Sequence, residues 1–112
     1  MRRHESHLPT ETMGRIASGR KQIESRINDA KRRSFAVGDK IIFIDNDDES
    51  RRITVTISAL HLYPTFFDLF ASRDIALFDE PDPATALAKI REFYSEQDEK
   101  ENGVVGIEVK IM

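Results

Sequence analysis

Lys40-Ile41-Ile42-Phe43-Ile44-Asp45 is the stretch that decides the fold. Its interior is an unbroken run of β-branched and aromatic residues, which pack well on a pleated surface and lose side-chain freedom in a helix. It therefore reads as a strand. Asn46-Asp47-Asp48-Glu49-Ser50 follows as a polar hairpin loop, an acidic tip that needs no functional role. A returning strand runs from about Arg51 to Tyr63, where Ile53, Val55, Ile57 and Ala59 alternate with polar residues until Leu60.

Toward the N-terminus, residues 28–39 form a polar excursion that ends in a Val37-Gly38-Asp39 turn. Lys21 to Ile27 alternates in part and reads as a short strand. Before it, Pro9-Thr10-Glu11 opens a short helix with Met13, Ile16 and Ala17 at helical spacing, and Gly19 stops it as a left-handed cap. His4-Glu5-Ser6-His7-Leu8 fits an edge strand. Toward the C-terminus, Pro64-Thr65-Phe66-Phe67-Asp68 starts a helix, with Thr65 and Asp68 at capping-box spacing and Phe66, Leu69 and Phe70 as its apolar face. Asp79-Glu80-Pro81 breaks the chain. Asp82 then caps a helix with Pro83 at its first position, running to about Tyr94. Ser95-Glu96-Gln97-Asp98 begins a further turn of helix that ends at Asn102-Gly103, and Val104 to Ile111 closes the chain as a strand.

These elements predict a single α+β domain over residues 1–112, a small mixed sheet curved into a barrel with two or three peripheral helices. A chain of 112 residues buries roughly two thirds of its unfolded surface, enough for one core. With 39% hydrophobic and 33% charged residues it is globular. The absence of cysteine excludes disulfides, thiolate catalysis and cysteine zinc sites. No apolar run approaches the roughly 20 residues that cross a bilayer, and no apolar signal core follows Arg2-Arg3. The expectation is a cytoplasmic protein without a membrane partner or a cofactor.

Charge is unevenly placed. Residues 1–40 carry 10 Lys/Arg and 5 Asp/Glu, a balance of +5, while residues 41–112 carry 7 and 15, a balance of −8; together these give the net −3. A protein that coats long nucleic acids presents a broad basic surface, because each neutralised phosphate releases counterions. This chain offers at most one compact basic site, suited to a short or single-nucleotide ligand.

Three blocks carry a resemblance. Gly19-Arg20-Lys21-Gln22-Ile23-Glu24-Ser25-Arg26 matches the G-x-K-x-x-E-x-R signature of ASCH domains. Val37-Gly38-Asp39-Lys40-Ile41-Ile42-Phe43 is similar to their entry into the central hairpin. Tyr94-Ser95, Glu99 and Gly103-Val104-Val105-Gly106-Ile107 resemble their ending. Order and spacing agree over nearly the whole chain. The resemblance implies a PUA-like β-barrel with a cleft facing the lysine-bearing loop, in a superfamily associated with RNA and modified-base recognition. One branch deacetylates N-acetylcytidine, and the family also occurs in transcriptional coactivators.

The candidate ligand-binding residues are Lys21, Glu24, Arg26, Arg20, Tyr94 and Ser95. In a regular strand Glu24 and Arg26 share a face and Lys21 points to the other; a bulge at Gly19-Arg20 brings the ammonium round to Glu24. Lys21 then offers a point charge to a phosphate or a developing oxyanion. Arg26 offers a planar fork, and Glu24 accepts from an exocyclic amine as carboxylates do from cytosine. The bland alternative is a solvated strand with an ion pair contributing at most about 1 kcal/mol.

In the amidohydrolase branch the third residue after the lysine is a threonine that supplies the nucleophile. Glu24 has no hydroxyl and adds a negative charge, so an enzyme here would use Lys21 and Glu24 with an activated water, and Ser25 faces the other way on a strand. Three readings follow: an RNA or modified-nucleoside binding module, an amidohydrolase acting on N-acetylcytidine or a related small amide, and a protein-interaction module marked by an exposed apolar patch away from the cleft. His4 and His7 fall on opposite faces of a strand, so no metal site is expected. His61 and Tyr63 share a face and read as packing before base stacking. Phe66, Phe67, Leu69, Phe70, Phe78 and Phe93 read mostly as core. Lys31-Arg32-Arg33 is either a solvated loop or a rim that draws phosphates to the cleft.

Overall fold

The computed structural model describes all 112 residues. The Lys40–Asp45 run is a strand (β3) whose partners account for the rest of the sheet. β1 (Arg3–Leu8) lies parallel to β3, and β4 (Arg52–Tyr63) returns antiparallel to it through the acidic hairpin. β5 (Val104–Ile111) pairs antiparallel with β4 across an irregularity between Ile57 and Ala59, and β2 (Ile23–Ile27) pairs antiparallel with β5. The order is β1-β3-β4-β5-β2. The mixed sheet curls into a half-barrel whose two edges, β1 and β2, face each other across a seam that only side chains span; Arg26 Nη2 of β2 reaches the His7 carbonyl of β1 at 3.5 Å.

Five α-helices cover this sheet, where the sequence pattern shows two or three. α1 (Thr10–Ala17) follows β1, and α2 (Ala30–Arg33) is a single turn inside the polar excursion, nucleated by Asp29, whose side chain accepts from the Arg32 N–H. α3 (Phe66–Ser72) is followed by a 3₁₀ turn at Ile75–Phe78, capped by Asp74. α4 (Pro83–Ile90) has Asp82 as its cap and Pro83 at its first position. It ends four residues before Tyr94 because the chain tightens into i→i+3 bonds, Glu92 N–H to Lys89 and Phe93 N–H to Ile90. α5 (Glu96–Asn102) opens with a complete capping box between Ser95 and Asp98.

The sheet separates two apolar clusters. The interior one joins Leu8, Met13, Ile16, Ile41, Phe43, Val55, Ile57, Val105 and Ile107 of the strands and α1. The other packs Ile23, Ile27 and Val104 of the outer face against Phe66, Leu69, Phe70, Phe78 and Ala86. Each large side chain among these contributes about 1.5–3 kcal/mol on burial. Gly106 makes the second contact possible, since a Cβ there would lie 3.0 Å from both Ile23 Cγ2 and Leu69 Cδ1.

Candidate functional site

The β2 register assigns its side chains to two faces. Ile23 and Ile27 enter the outer cluster, so Ser25 between them shares their face, while Glu24 and Arg26 sit opposite Ile107 and Val105 on the interior face. β2 has no strand on its outer side, and along this free edge lies a cleft of about 330 Å³. Residues from β1 to α1 (His7, Leu8, Pro9, Thr12, Arg15) form one wall, Phe70, Phe78, Ile90, Phe93 and Tyr94 another, and Lys21, Glu24 and Arg26 the base.

Lys21 precedes the strand rather than belonging to it. Gly19 turns the chain at φ +81, a conformation L side chains rarely adopt. The Lys21 N–H then donates to the Arg15 carbonyl at 3.0 Å, and the Gln22 N–H to the Leu77 carbonyl at 2.8 Å. Freed from strand alternation, the Lys21 ammonium lies 3.9 Å from Glu24 Oε1 and 3.4 Å from the Phe78 carbonyl. The two side chains are only 10% and 11% exposed. Glu24 Oε1 also accepts the Ser25 N–H at 3.1 Å, whereas Glu24 Oε2 is buried without any protein donor. An unmet buried acceptor costs about 1–3 kcal/mol, which a ligand donor recovers. The Arg26 fork is almost unengaged, its one bond being the long contact to His7.

A second cluster braces the opposite wall. Arg15 Nε donates to Asp79 Oδ2 at 2.8 Å and its Nη2 to Glu80 Oε1 at 3.0 Å and to the Asp79 carbonyl at 2.6 Å. Lys89 Nζ lies 3.0 Å from Glu80 Oε2. Burial alone would lower the Arg15 guanidinium, but its bonds to Asp79 and Glu80 outweigh that and raise it. The Arg15 hydrogen bond in turn holds the Asp79 carboxyl below its ordinary value. Asp79 has φ +58, a left-handed turn that no glycine supplies, and ion pairing to Arg15 holds it there. The sequence pattern shows Asp79-Glu80-Pro81 only as a chain break and gives no sign of Arg15, Glu80, Lys89 or the cleft role of Phe93. Arg15 and Glu80 are 65 residues apart, and no local pattern links them.

The other anticipated residues separate. Tyr94 lines the cleft and stacks on Phe66, ring centroids 5.8 Å apart. Ser95 is exposed and caps α5, and Arg20 points to solvent beside the Ser18 hydroxyl at 3.1 Å; neither lines the cleft. His4 is buried against Phe35 and its Nε2 donates to Asp39 at 2.8 Å, while His7 stands at the cleft rim. His61 bonds Glu108 at 2.8 Å, and the Tyr63 hydroxyl accepts from Arg73 at 3.1 Å; neither lines the cleft. Asp45, the last residue of β3 before the acidic tip, is buried and accepts the Thr10 hydroxyl at 2.7 Å, which ties the hairpin to α1.

The sequence matches the ASCH domain family over residues 7–112, nearly the whole chain. The chain belongs to the ASCH domain family. Solved structures agree with that membership. The crystal structure of the hypothetical protein PH0355 is 29% identical, with a TM-score of 0.86 and full coverage of both chains. The solution structure of protein PF0455 from Pyrococcus furiosus is 28% identical, with a TM-score of 0.76, covering 100% of this chain and 98% of that one. ASCH from Zymomonas mobilis, at 16% identity and a TM-score of 0.57, covers 95% of this chain and 65% of its own, and shares the fold. No curated protein matches the sequence. In this ASCH domain no helix is long and apolar enough to cross a membrane.

Proposed function

We propose that this ASCH domain binds a nucleobase, in a modified nucleoside or a short RNA, in the cleft over Lys21, Glu24 and Arg26. One observation carries the reading: the buried, donorless Glu24 Oε2 beside the Lys21 ammonium, in a cleft whose other wall is aromatic. A base edge with an amino donor next to an acceptor matches that pair, the amine on Glu24 and the acceptor on Lys21. The exposed Phe93 ring at the mouth suits the flat face of the same base. Net acidity restricts the ligand to one that needs few phosphate contacts.

Binding of cytidine, N-acetylcytidine and a short RNA, followed by titration calorimetry with hydrolysis monitored in parallel, tests this. Lys21→Ala and Glu24→Gln are each expected to weaken binding about 13- to 160-fold, the range for removing a hydrogen bond to a charged group, about 1.5–3 kcal/mol. Affinity unchanged in both variants rejects the placement. A second reading, hydrolysis of an acylated base, is supported by Glu80, a second carboxylate in the same cleft. It requires turnover of N-acetylcytidine by the intact protein that Glu24→Gln abolishes. The exposed large apolar residues away from the cleft are Met1, Val37, Leu62, Phe67, Ile111 and Met112, and a protein-interaction role would have to use these.

A further inference from the structure

The seam between β1 and β2 is bridged by two cations. Lys31 Nζ of α2 donates to the Glu5 carbonyl at 2.6 Å, and Arg26 Nη2 of β2 donates to the His7 carbonyl at 3.5 Å. Residues 5 and 7 of an edge strand present their carbonyls on the same side, two residues or about 7 Å apart. The even-numbered neighbours serve the other side, where the Leu8 carbonyl accepts from Asn46. The two cations thus stand in a row along the open edge, beginning at the cleft, which Arg26 lines, and ending at α2.

Neither cation is neutralised. Their only protein acceptors are backbone carbonyls, and the nearest acid of α2, Asp29, is taken by Arg32 at 3.2 Å and by its capping bond. Partial burial, then the charges of Arg32 and Arg26, lower the Lys31 ammonium below its ordinary value, and Asp29 and Glu5 do not offset them. Uncompensated positive charge at a cleft mouth attracts an anion. An ammonium has three donors and a guanidinium five, so each keeps its carbonyl while offering further donors to phosphate, in charge-assisted bonds roughly twice as strong.

We propose that Arg26 and Lys31 form a two-step phosphate track, so that the ligand is a nucleotide within a short single-stranded RNA rather than a free nucleoside. The carbonyls that anchor the two cations are about 7 Å apart, of the order of the step between successive phosphates along a strand, and basic side chains beside an aromatic platform are the arrangement that holds single strands. The inference rests on base binding in the cleft and adds to it where the flanking backbone runs.

The test compares N-acetylcytidine with an RNA tetranucleotide containing it, using the intact protein, Lys31→Gln and Lys21→Ala over a range of salt concentrations. The amide that Lys31→Gln introduces keeps a donor for the Glu5 carbonyl, so the substitution removes charge and leaves the seam closed. The tetranucleotide is expected to bind at least about tenfold tighter than the nucleoside. Lys31→Gln should remove much of that advantage, reduce the salt slope by about 0.7, the single-strand increment per phosphate, and leave nucleoside affinity as it is. Equal tetranucleotide affinity and slope in Lys31→Gln overturns the track, and the cleft reading survives if Lys21→Ala still loses nucleoside binding. No binding of either probe by the intact protein overturns both.

Discussion

Phe93 occupies its position because α4 stops early. Had the helix continued to Tyr94, residue 93 would have pointed along a helix face; instead the tight turn after Ile90 swings its ring to the cleft mouth, where it is 71% exposed. A single exposed apolar residue is ordinary in itself. What sets Phe93 apart is its place across from Lys21 and Glu24, on the same aromatic wall as Tyr94. Tyr94 differs in being fixed by its stacking on Phe66, which makes it a wall and leaves Phe93 as the ring with a free face. Base stacking on such a ring is worth about 1–3 kcal/mol. Phe93→Ala should therefore weaken nucleoside binding by about that amount, and Phe93→Tyr should retain it. Because the ring is exposed, both variants should melt as the parent does. Calorimetric titration beside a thermal melt separates the cases, and equal affinity in Phe93→Ala removes the ring from the site.

β1 is the element on which the cleft wall depends, and beyond its ladder to β3 a single carboxylate fastens its start. Asp39 Oδ1 accepts the Arg2 N–H at 3.0 Å, and its Oδ2 accepts the Ala36 N–H at 3.1 Å and His4 Nε2 at 2.8 Å. The His4 bond, followed by the backbone N–H of Arg2, lowers the Asp39 carboxyl from 3.8 to about 2. A carboxyl depressed in the folded state contributes stability that is complete above its unfolded value and lost as pH falls through the folded one. The protein should accordingly lose this contribution between about pH 4 and pH 2, and Asp39→Asn should show no such step there. At neutral pH the same variant should exchange the amides of Arg3–Leu8 faster, and urea titrations at several pH values with amide exchange measure both. Unaltered β1 exchange in Asp39→Asn rejects the fastening. The sequence pattern shows β1 as an edge strand and Val37-Gly38-Asp39 as a turn, but not that the turn clamps the strand, because the partners are 35 residues apart. Local chemistry is legible: the Asp82-Pro83 helix start, the Thr65 cap on the Asp68 N–H of α3, and Lys21 with Glu24 three residues on. What depends on closure of the curl is not, including the Arg15 brace on Glu80 and the cations on β1.

At the scale of the whole molecule, the sheet divides two cores, and the cleft opens where the helical layer reaches the free edge of β2. The basic N-terminal third supplies Arg15, Lys21 and Arg26 to the cleft; the acidic remainder supplies Glu80 and the aromatic wall. Keeping these halves in register depends on how α3, α4 and α5 lock together, and Glu99 sits at their junction. Its side chain is 3% exposed. Oε2 accepts the Phe66 N–H at the start of α3, at 3.1 Å, and Oε1 pairs with the Arg91 guanidinium that follows α4. A carboxylate at a helix N-terminus is favoured by the helix dipole as well as by the bond. Removing one partner of a buried pair costs about 3–5 kcal/mol, out of a total of about 5–15 kcal/mol for a domain of this kind. Glu99→Ala should therefore shift the urea midpoint strongly downward, and Glu99→Gln less, since an amide oxygen still accepts from Phe66. Phe93 and Tyr94 hang between Arg91 and Glu99, so Glu99→Ala should also weaken nucleoside binding although Glu99 touches no part of the cleft. A loss of stability under about 1 kcal/mol, with the slope of the urea transition unchanged, would show that the helical layer is held by its apolar contacts alone.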